Sequence, residues 1–337
     1  MATFADLGRV EAVRQLFEGT GYSPFGEPLF HMTKAGDAAT TAAVTMLEGI
    51  DFDLVYFPLK HLGYKAVIAV TGELYAVLAC PETLTVRLGI SSKLDFEQTG
   101  ELWGGIVAAA KEHGYKSLGL ELQPSKNGLC ISLAAGGRCG GQTCGARPRA
   151  QSKDLVCISG SLGAAYLGQR VLESEKQNFD RGSLQQDRIE KYKMLVGAYL
   201  KPEMAAGILH QLEDAEICPS FGYFINRGLA DAVLRLRRDS GLGVKVYADK
   251  IPFEGGSFEL GKEMDIDPVS AAMNGGDDFR LLFTIPILQM EKFRHDFQTF
   301  DIIGHLAQPE AGAVLVTPEG LEMPVSAQGW PAETKGE

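Results

Sequence analysis

The sequence predicts a two-domain protein of mixed α+β and α/β class, and three observations carry that expectation. The chain has 337 residues, which is more than a single core usually organises. Short strand-like runs alternate with longer helix-like runs along its length. A Gly-rich stretch dotted with arginines, Gly136–Ser152, interrupts the alternation near the middle. It reads as the boundary between a unit of residues 1–150 and a second unit of residues 151–337.

The elements follow in order. Ala5–Glu18 reads as an amphipathic helix, with Leu7, Val10, Val13 and Phe17 on one face. Gly36-Asp37-Ala38-Ala39 reads as turn chemistry, and Thr41–Met46 as a short, partly β-like run. Lys65–Leu78 is a helix of small residues suited to close packing, and Thr83–Gly89 alternates like a strand. Glu97–His113 is a helix that Gly114 stops, and Leu129–Ala134 is a strand. Helices on one side of a sheet account for this half.

The second half opens on a buried strand, Asp154–Ser159, after which Gly160-Ser161-Leu162-Gly163 starts a helix. That turn could cradle a phosphate, but packing is the preferred reading. Leu172–Gln186 is polar and reads as a loop or exposed helix end. Gly228–Gly241 is a helix, and Gly243–Tyr247, Leu281–Ile285, Asp301–His305 and Val314–Thr317 are strands. Arg235, Arg237 and Arg238 read as one solvated helix face.

Composition narrows the function classes. Apolar residues make up 45% and charged residues 22%, and the net charge is −11. That balance argues against nucleic-acid or anionic-membrane partners, while leaving room for carboxylates that hold magnesium. No apolar run reaches membrane-spanning length, and the N-terminus has helical spacing with acidic residues rather than a secretory pattern. A cytoplasmic location is expected. The six cysteines show no CxxC pair. Cys139 and Cys144 could pair or form half a metal site, although reduced thiols are the expectation.

Several runs carry a resemblance. His61–Ala66 (HLGYKA), Asp154–Gly168 (DLVCISGSLGAAYLG), Leu200–Glu203 (LKPE) and Gly275–Thr284 (GGDDFRLLFT) resemble thiamine-monophosphate kinases, and the resemblance covers nearly the whole chain. It implies a two-domain fold like that of aminoimidazole ribonucleotide synthetase, with an N-terminal domain that dimerises. It also implies transfer of phosphate from ATP to thiamine monophosphate with Mg²⁺. Such chemistry needs positioned cations and neutralised charge more than covalent help.

The family's chemical motifs are altered residue by residue. Counting back from Glu48-Gly49-Ile50-Asp51-Phe52-Asp53 puts the first family acid at Glu27, and the second at Val44. The third is Glu73. The fourth motif falls on Gly119–Gln123, with Leu120 replacing a glycine and Glu121 the acid. The fifth falls on Phe224–Leu229, where Phe224 and Arg227 occupy acid positions. The metal candidates are therefore Glu27, Glu73 and Glu121, and no catalytic acid is retained. Arg147, Trp103, Leu120 and Glu121 fall at nucleotide-facing positions, and Asp51, Asp277 and Trp330 at substrate-facing ones. Each has an ordinary alternative: surface Arg147, a turn at Gly275-Gly276, Trp330 as a packing anchor.

Three readings of function result. One is a kinase working through glutamates. Another is a noncatalytic dimer that binds a nucleotide, a thiamine phosphate or a regulatory partner. A third is another enzyme of the same superfamily. The substitutions cluster on the metal and phosphate motifs while the scaffold stays, so an impaired or inactive kinase homologue is expected.

Overall fold

A computed structural model describes residues 31–34, 37–139, 147–180, 186–297 and 300–327. The helix expected at Ala5–Glu18, and Glu27, Cys144 and Trp330, lie outside the described residues.

The first half builds a five-stranded sheet from β1 (His31–Lys34), β2 (Asp37–Leu47), β3 (Cys80–Ser91), β4 (Ser117–Ser125) and β5 (Cys130–Cys139), in the order β1-β2-β5-β3-β4. The pairings are antiparallel except β3 with β4. A parallel pair needs a crossover, and α2 (Phe96–Glu112) supplies it. Its start is fixed by a capping box between Asp95 and Gln98. Preceding it is α1 (Leu59–Ala76), longer than the expected Lys65–Leu78 and buried along most of its length.

Both helices lie on one face of this sheet, as expected. Met46, Leu84, Val86, Leu88, Ile131 and Leu133 point into a core shared with Leu62, Val67, Leu102 and Ile106. The alternate positions, including Thr41, Ala43, Thr45, Thr85 and Arg87, are exposed on the opposite face. This period-two alternation is the signature of a half-covered sheet.

The second half is a seven-stranded sheet. Its strands are β6 (Leu155–Ile158), β7 (Phe221–Ile225), β8 (Gly243–Tyr247), β9 (Arg280–Ile285), β10 (Asp301–Ala307), β11 (Ala313–Val316) and β12 (Glu322–Pro324), in the order β12-β11-β8-β10-β6-β9-β7. Between β6 and β7 lie α3 (Ala164–Asp180), α4 (Gln186–Lys191), α5 (Lys193–Leu200) and α6 (Ile208–Asp214). Later come α7 (Leu229–Ser240), α8 (Ser257–Met264), α9 (Pro268–Asn274) and α10 (Met290–Asp296).

Two cores sandwich this sheet. On one face α7 packs through Leu229, Val233 and Leu236 against Val156, Ile225 and Val246. On the other, α1 presents Ile68, Ala69, Tyr75 and Ala76 to Cys157, Phe224, Leu281 and Phe283. Helix α1 therefore serves both sheets: one stripe packs on the five-stranded sheet and another on the seven-stranded one. That explains why it is apolar nearly all round.

Three expectations need correction. Leu172–Gln186 is not wholly loop, because α3 runs to Asp180 with Val171, Leu172 and Glu175 buried. Asp37–Ala39 belongs to β2, paired with β1 and β5, rather than to a turn. Arg235 is not a solvated residue. It ion-pairs with Asp231 at 2.9 Å, donates to the Phe224 carbonyl at 3.0 Å and lies over the Tyr223 ring.

Candidate functional site

The chemistry-bearing residues gather where the Glu48–Asp53 loop, the first turns of α1, the turn after β7 and the turn after α9 meet. The loop is tightly closed. Asp51 Oδ2 accepts from the Leu47 N–H at 2.7 Å, and the Asp51 N–H donates to the Leu47 carbonyl at 2.9 Å. Burial raises the Asp51 pKa, the Leu47 N–H opposes that shift, and the charges of Asp277 and Arg227 act on it in opposite senses.

Lys65 lies at the centre and is fully buried. Its Nζ donates to Asp277 Oδ2 at 2.8 Å and stands 3.7 Å from the centroid of the Tyr199 ring. Phe57 and Phe279 complete an aromatic cage at 5.2 and 5.6 Å. Burial lowers the Lys65 pKa, and Asp277 and Asp51 push it back up. An ammonium in such a place is held by one charged hydrogen bond and by ring faces. The Tyr199 hydroxyl also reaches the Asp51 carbonyl at 3.3 Å, tying the cage to the loop.

The turn that delivers Asp277 is strained. Gly276 has φ +82°, Asp277 φ +61° and Phe279 φ +49°. Two side-chain-bearing residues in the left-handed region mark a turn that its surroundings dictate. Asp277 N–H donates to the Asn226 carbonyl at 3.0 Å, so this turn and the turn after β7 are hydrogen-bonded together. The neighbouring Asp278 faces the other way. It accepts from the Gly163 and Ala165 N–H groups at 2.8 and 3.3 Å, at the start of α3. Its carboxylate thus already occupies the N-terminus of α3, in accord with the packing reading of Gly160–Gly163. Burial lifts the Asp278 pKa to about 7 against those two donors.

Arg227 is exposed. It precedes Gly228, which caps α7 at φ +88° without a side-chain hydrogen bond. Phe224, three residues earlier on β7, is fully buried beside Gly72 of α1 and against the Phe279 ring at 5.3 Å.

Among the described residues, the carboxylates implied for magnesium, Glu73 and Glu121, do not converge. Glu73 is half-buried on α1. Glu121 lies on β4 in register with Arg87 and pairs with it at 2.9 Å, on the sheet face opposite α1. Val44, at another acid position, packs half-buried against both cores that α1 serves. Among the described residues no group of three or more His, Cys, Asp or Glu side chains is placed to hold a metal. The described residues therefore do not gather the carboxylate set that the implied ion takes.

Other expected site residues sit apart. Trp103, on α2, packs at the edge of the first core. Leu120 is exposed on β4, which is an edge strand rather than a strand-to-helix turn. Arg147 is half-buried, and its Nη2 is buried without a hydrogen-bond partner among the described residues. Cys139 is buried with Sγ 3.5 Å from the Val77 carbonyl. A separate cavity of about 300 Å³ opens between the loop and α3, lined by Asp53, Tyr56, Glu173, Lys176 and Asp180 among others. Asp51, Arg227 and Asp277 do not line it, so the cavity and the charged cluster are distinct features.

Sequence reasoning had kept Lys65 only as part of the scaffold and had missed Tyr199, Phe57 and Phe279. The available signal was a lone lysine before the apolar run Ala66–Val70.

Comparison with known proteins places this geometry. No family model matches the chain. The thiamine-monophosphate kinase of Aquifex aeolicus is 23% identical over 242 residues, covering 71% of this chain and 73% of the relative. That of Bacillus subtilis is 20% identical over 309 residues, covering 89% and 90%. The chain is thus similar to thiamine-monophosphate kinases along most of its length.

Solved structures agree on the fold. AaThiL complexed with AMPPCP and TMP superposes with a TM-score of 0.78 at 20% identity, covering 98% of each chain. E. coli HypE, a hydrogenase maturation protein, gives 0.65 at 14%, covering 96% of this chain and 98% of that one. The architecture is thus the aminoimidazole-ribonucleotide-synthetase-like fold, shared by thiamine-monophosphate kinases and HypE.

Proposed function

We propose that this protein is a thiamine-monophosphate kinase homologue that keeps the family's ligand groove but has lost most or all phosphoryl transfer. The relatives are kinases by name, and one neighbouring structure holds AMPPCP and TMP. A nucleotide or thiamine phosphate is therefore the ligand class for the groove beside Asp51, Arg227 and Asp277, with Arg147 and Trp330 as further contacts. Residues 1–150 and 151–337 form the two domains of this reading.

The observation that carries the loss is Phe224. Where the resemblance expects a metal-binding carboxylate, a phenyl ring is fully buried. The neighbouring Arg227 puts positive charge where the resemblance expects the acid closest to the reaction. Neutralising the charge of the transferring group is most of what such an active site does. Losing about 4 kcal/mol of that stabilisation slows turnover roughly a thousandfold.

A second reading is favoured by the same arginine. Arg227 is exposed and makes no hydrogen bond or ion pair among the described residues. As a guanidinium clamp on phosphate it would support slow transfer. A turnover assay with thiamine monophosphate, ATP and saturating Mg²⁺ separates the readings. No product, or a rate far below one per second, is expected. A rate of several per second would overturn the loss.

A further inference from the structure

We propose that this chain has converted the family's divalent-cation position into part of the dry core joining its two sheets. A phosphate-bearing small molecule in the groove is then bound with no bridging cation. The second statement rests on the groove being a ligand site, as proposed above, whereas the first does not.

The conversion is a matched pair of residues. A Cβ added at Gly72 would lie 2.1 Å from Phe224 Cε2 and 2.3 Å from Cδ2. The missing side chain at 72 is therefore the space that the ring at 224 fills. Phe279 covers the ring from another side, and Arg235 holds the Phe224 carbonyl at 3.0 Å. Ile68, Ala69 and Phe283 continue the same apolar cluster. A carboxylate at 224 would enter an apolar seam, which penalises buried charge heavily, and the cations beside that seam, Arg235 and Lys65, are already paired with Asp231 and Asp277.

The cations close to the groove are the protein's own. Lys65 is caged and already paired with Asp277. Arg227 is exposed, so it can meet a phosphate while repelling a divalent ion. Both sheets contribute to the seam, so a returned acid at 224 alone does not rebuild a cation site.

Mn²⁺ titrated alone into the full chain, followed by electron paramagnetic resonance, tests the first statement. The free-ion signal is expected to stay undiminished, and stoichiometric sub-millimolar binding would overturn the proposal. Calorimetry with ADP and with thiamine monophosphate, each with Mg²⁺ and with EDTA, tests the second. Equal affinities are expected in both media, together with a loss of about tenfold in Arg227→Gln. A tenfold or greater gain from Mg²⁺ overturns metal-free binding. If neither ligand binds in either medium, the groove reading and the second statement both fail, while the manganese result still decides the first.

The matched pair has its own test. Gly72→Ala should lower the melting temperature clearly in the native background and much less in Phe224→Leu, because the smaller side chain relieves the clash. Additive losses would overturn the pairing. Phe224→Asp, if it folds, should bind no Mn²⁺, and manganese binding by that variant would overturn the proposal as well.

Discussion

Lys65 shows how one residue organises the site. Its ammonium is fully buried, and its hydrogen bond to Asp277 is the charged contact that compensates it. Removing the partner of a buried charge costs more than the pair is worth, because the remaining charge is stranded. Asp277→Asn should therefore destabilise the protein by about 2 kcal/mol, less than for a fully buried pair because Asp277 is one-third exposed. Lys65→Met in the same background should recover much of that loss, and urea unfolding of the wild type and the two variants measures it. Asp278 makes a second prediction, for pH. Its folded pKa of about 7 lies above the ordinary carboxylate value, so between roughly pH 4 and 7 the folded state holds a proton that the unfolded state has released. Its contribution is fully present below pH 4 and is lost as pH rises through 7. Asp278→Asn keeps an acceptor for the α3 amides and should flatten this slope. Thermal melts at pH 5 and pH 7.5 should show a smaller difference in the variant.

At the scale of elements, β7 and α7 are joined by Arg235, which sequence reasoning had placed in water. Its guanidinium satisfies the Phe224 carbonyl, buried Asp231 and the face of Tyr223 together. Arg235→Met keeps much of the stem's volume but removes the guanidinium beside the buried Asp231 carboxylate and the donor to the Phe224 carbonyl, so a loss of about 2 kcal/mol is expected in chemical unfolding. Wild-type stability in that variant would return Arg235 to the solvated face. The same region shows where sequence reasoning succeeds and where it stops. Strands such as β3 and β9 and helix α7 were readable because their period and bounding glycines are local signals. Strand β7 was missed because its residues were read as a chemical motif. Helix α3 was cut short because many polar residues masked an inward row of Leu167, Val171, Leu172 and Glu175. The substituted positions were visible in the sequence, but the fit of Phe224 into Gly72 was not. That contact joins β7 to α1 across a long stretch of chain, and only the fold brings the two together.

For the whole molecule, the open face of the five-stranded sheet makes the final prediction. Thr41, Ala43 and Thr45 on β2 lie in register with Gly136, Ala134 and Ser132 on β5. Those in turn meet Thr83, Thr85 and Arg87 on β3. The surface is made mostly of small residues and is exposed or half-exposed among the described residues. On the opposite face Leu120 and Leu122 extend the inward rows of Val86 and Leu88, yet they are 43% and 52% exposed. They lie on β4, an edge strand whose far side has no pairing partner among the described residues. Exposed apolar side chains on an unpaired edge favour association. We predict a homodimer built on this sheet, the arrangement that the family resemblance implies. Solution scattering at micromolar concentration should give a two-chain mass. Leu122→Lys, which places a charge at that edge, should shift the population toward single chains with little loss of fold, because the residue is half exposed already. A wild-type protein that scatters as one chain would remove this sheet from consideration as an interface. A dimer untouched by Leu122→Lys would place the contact away from the β4 edge, on the Thr- and Ala-lined face.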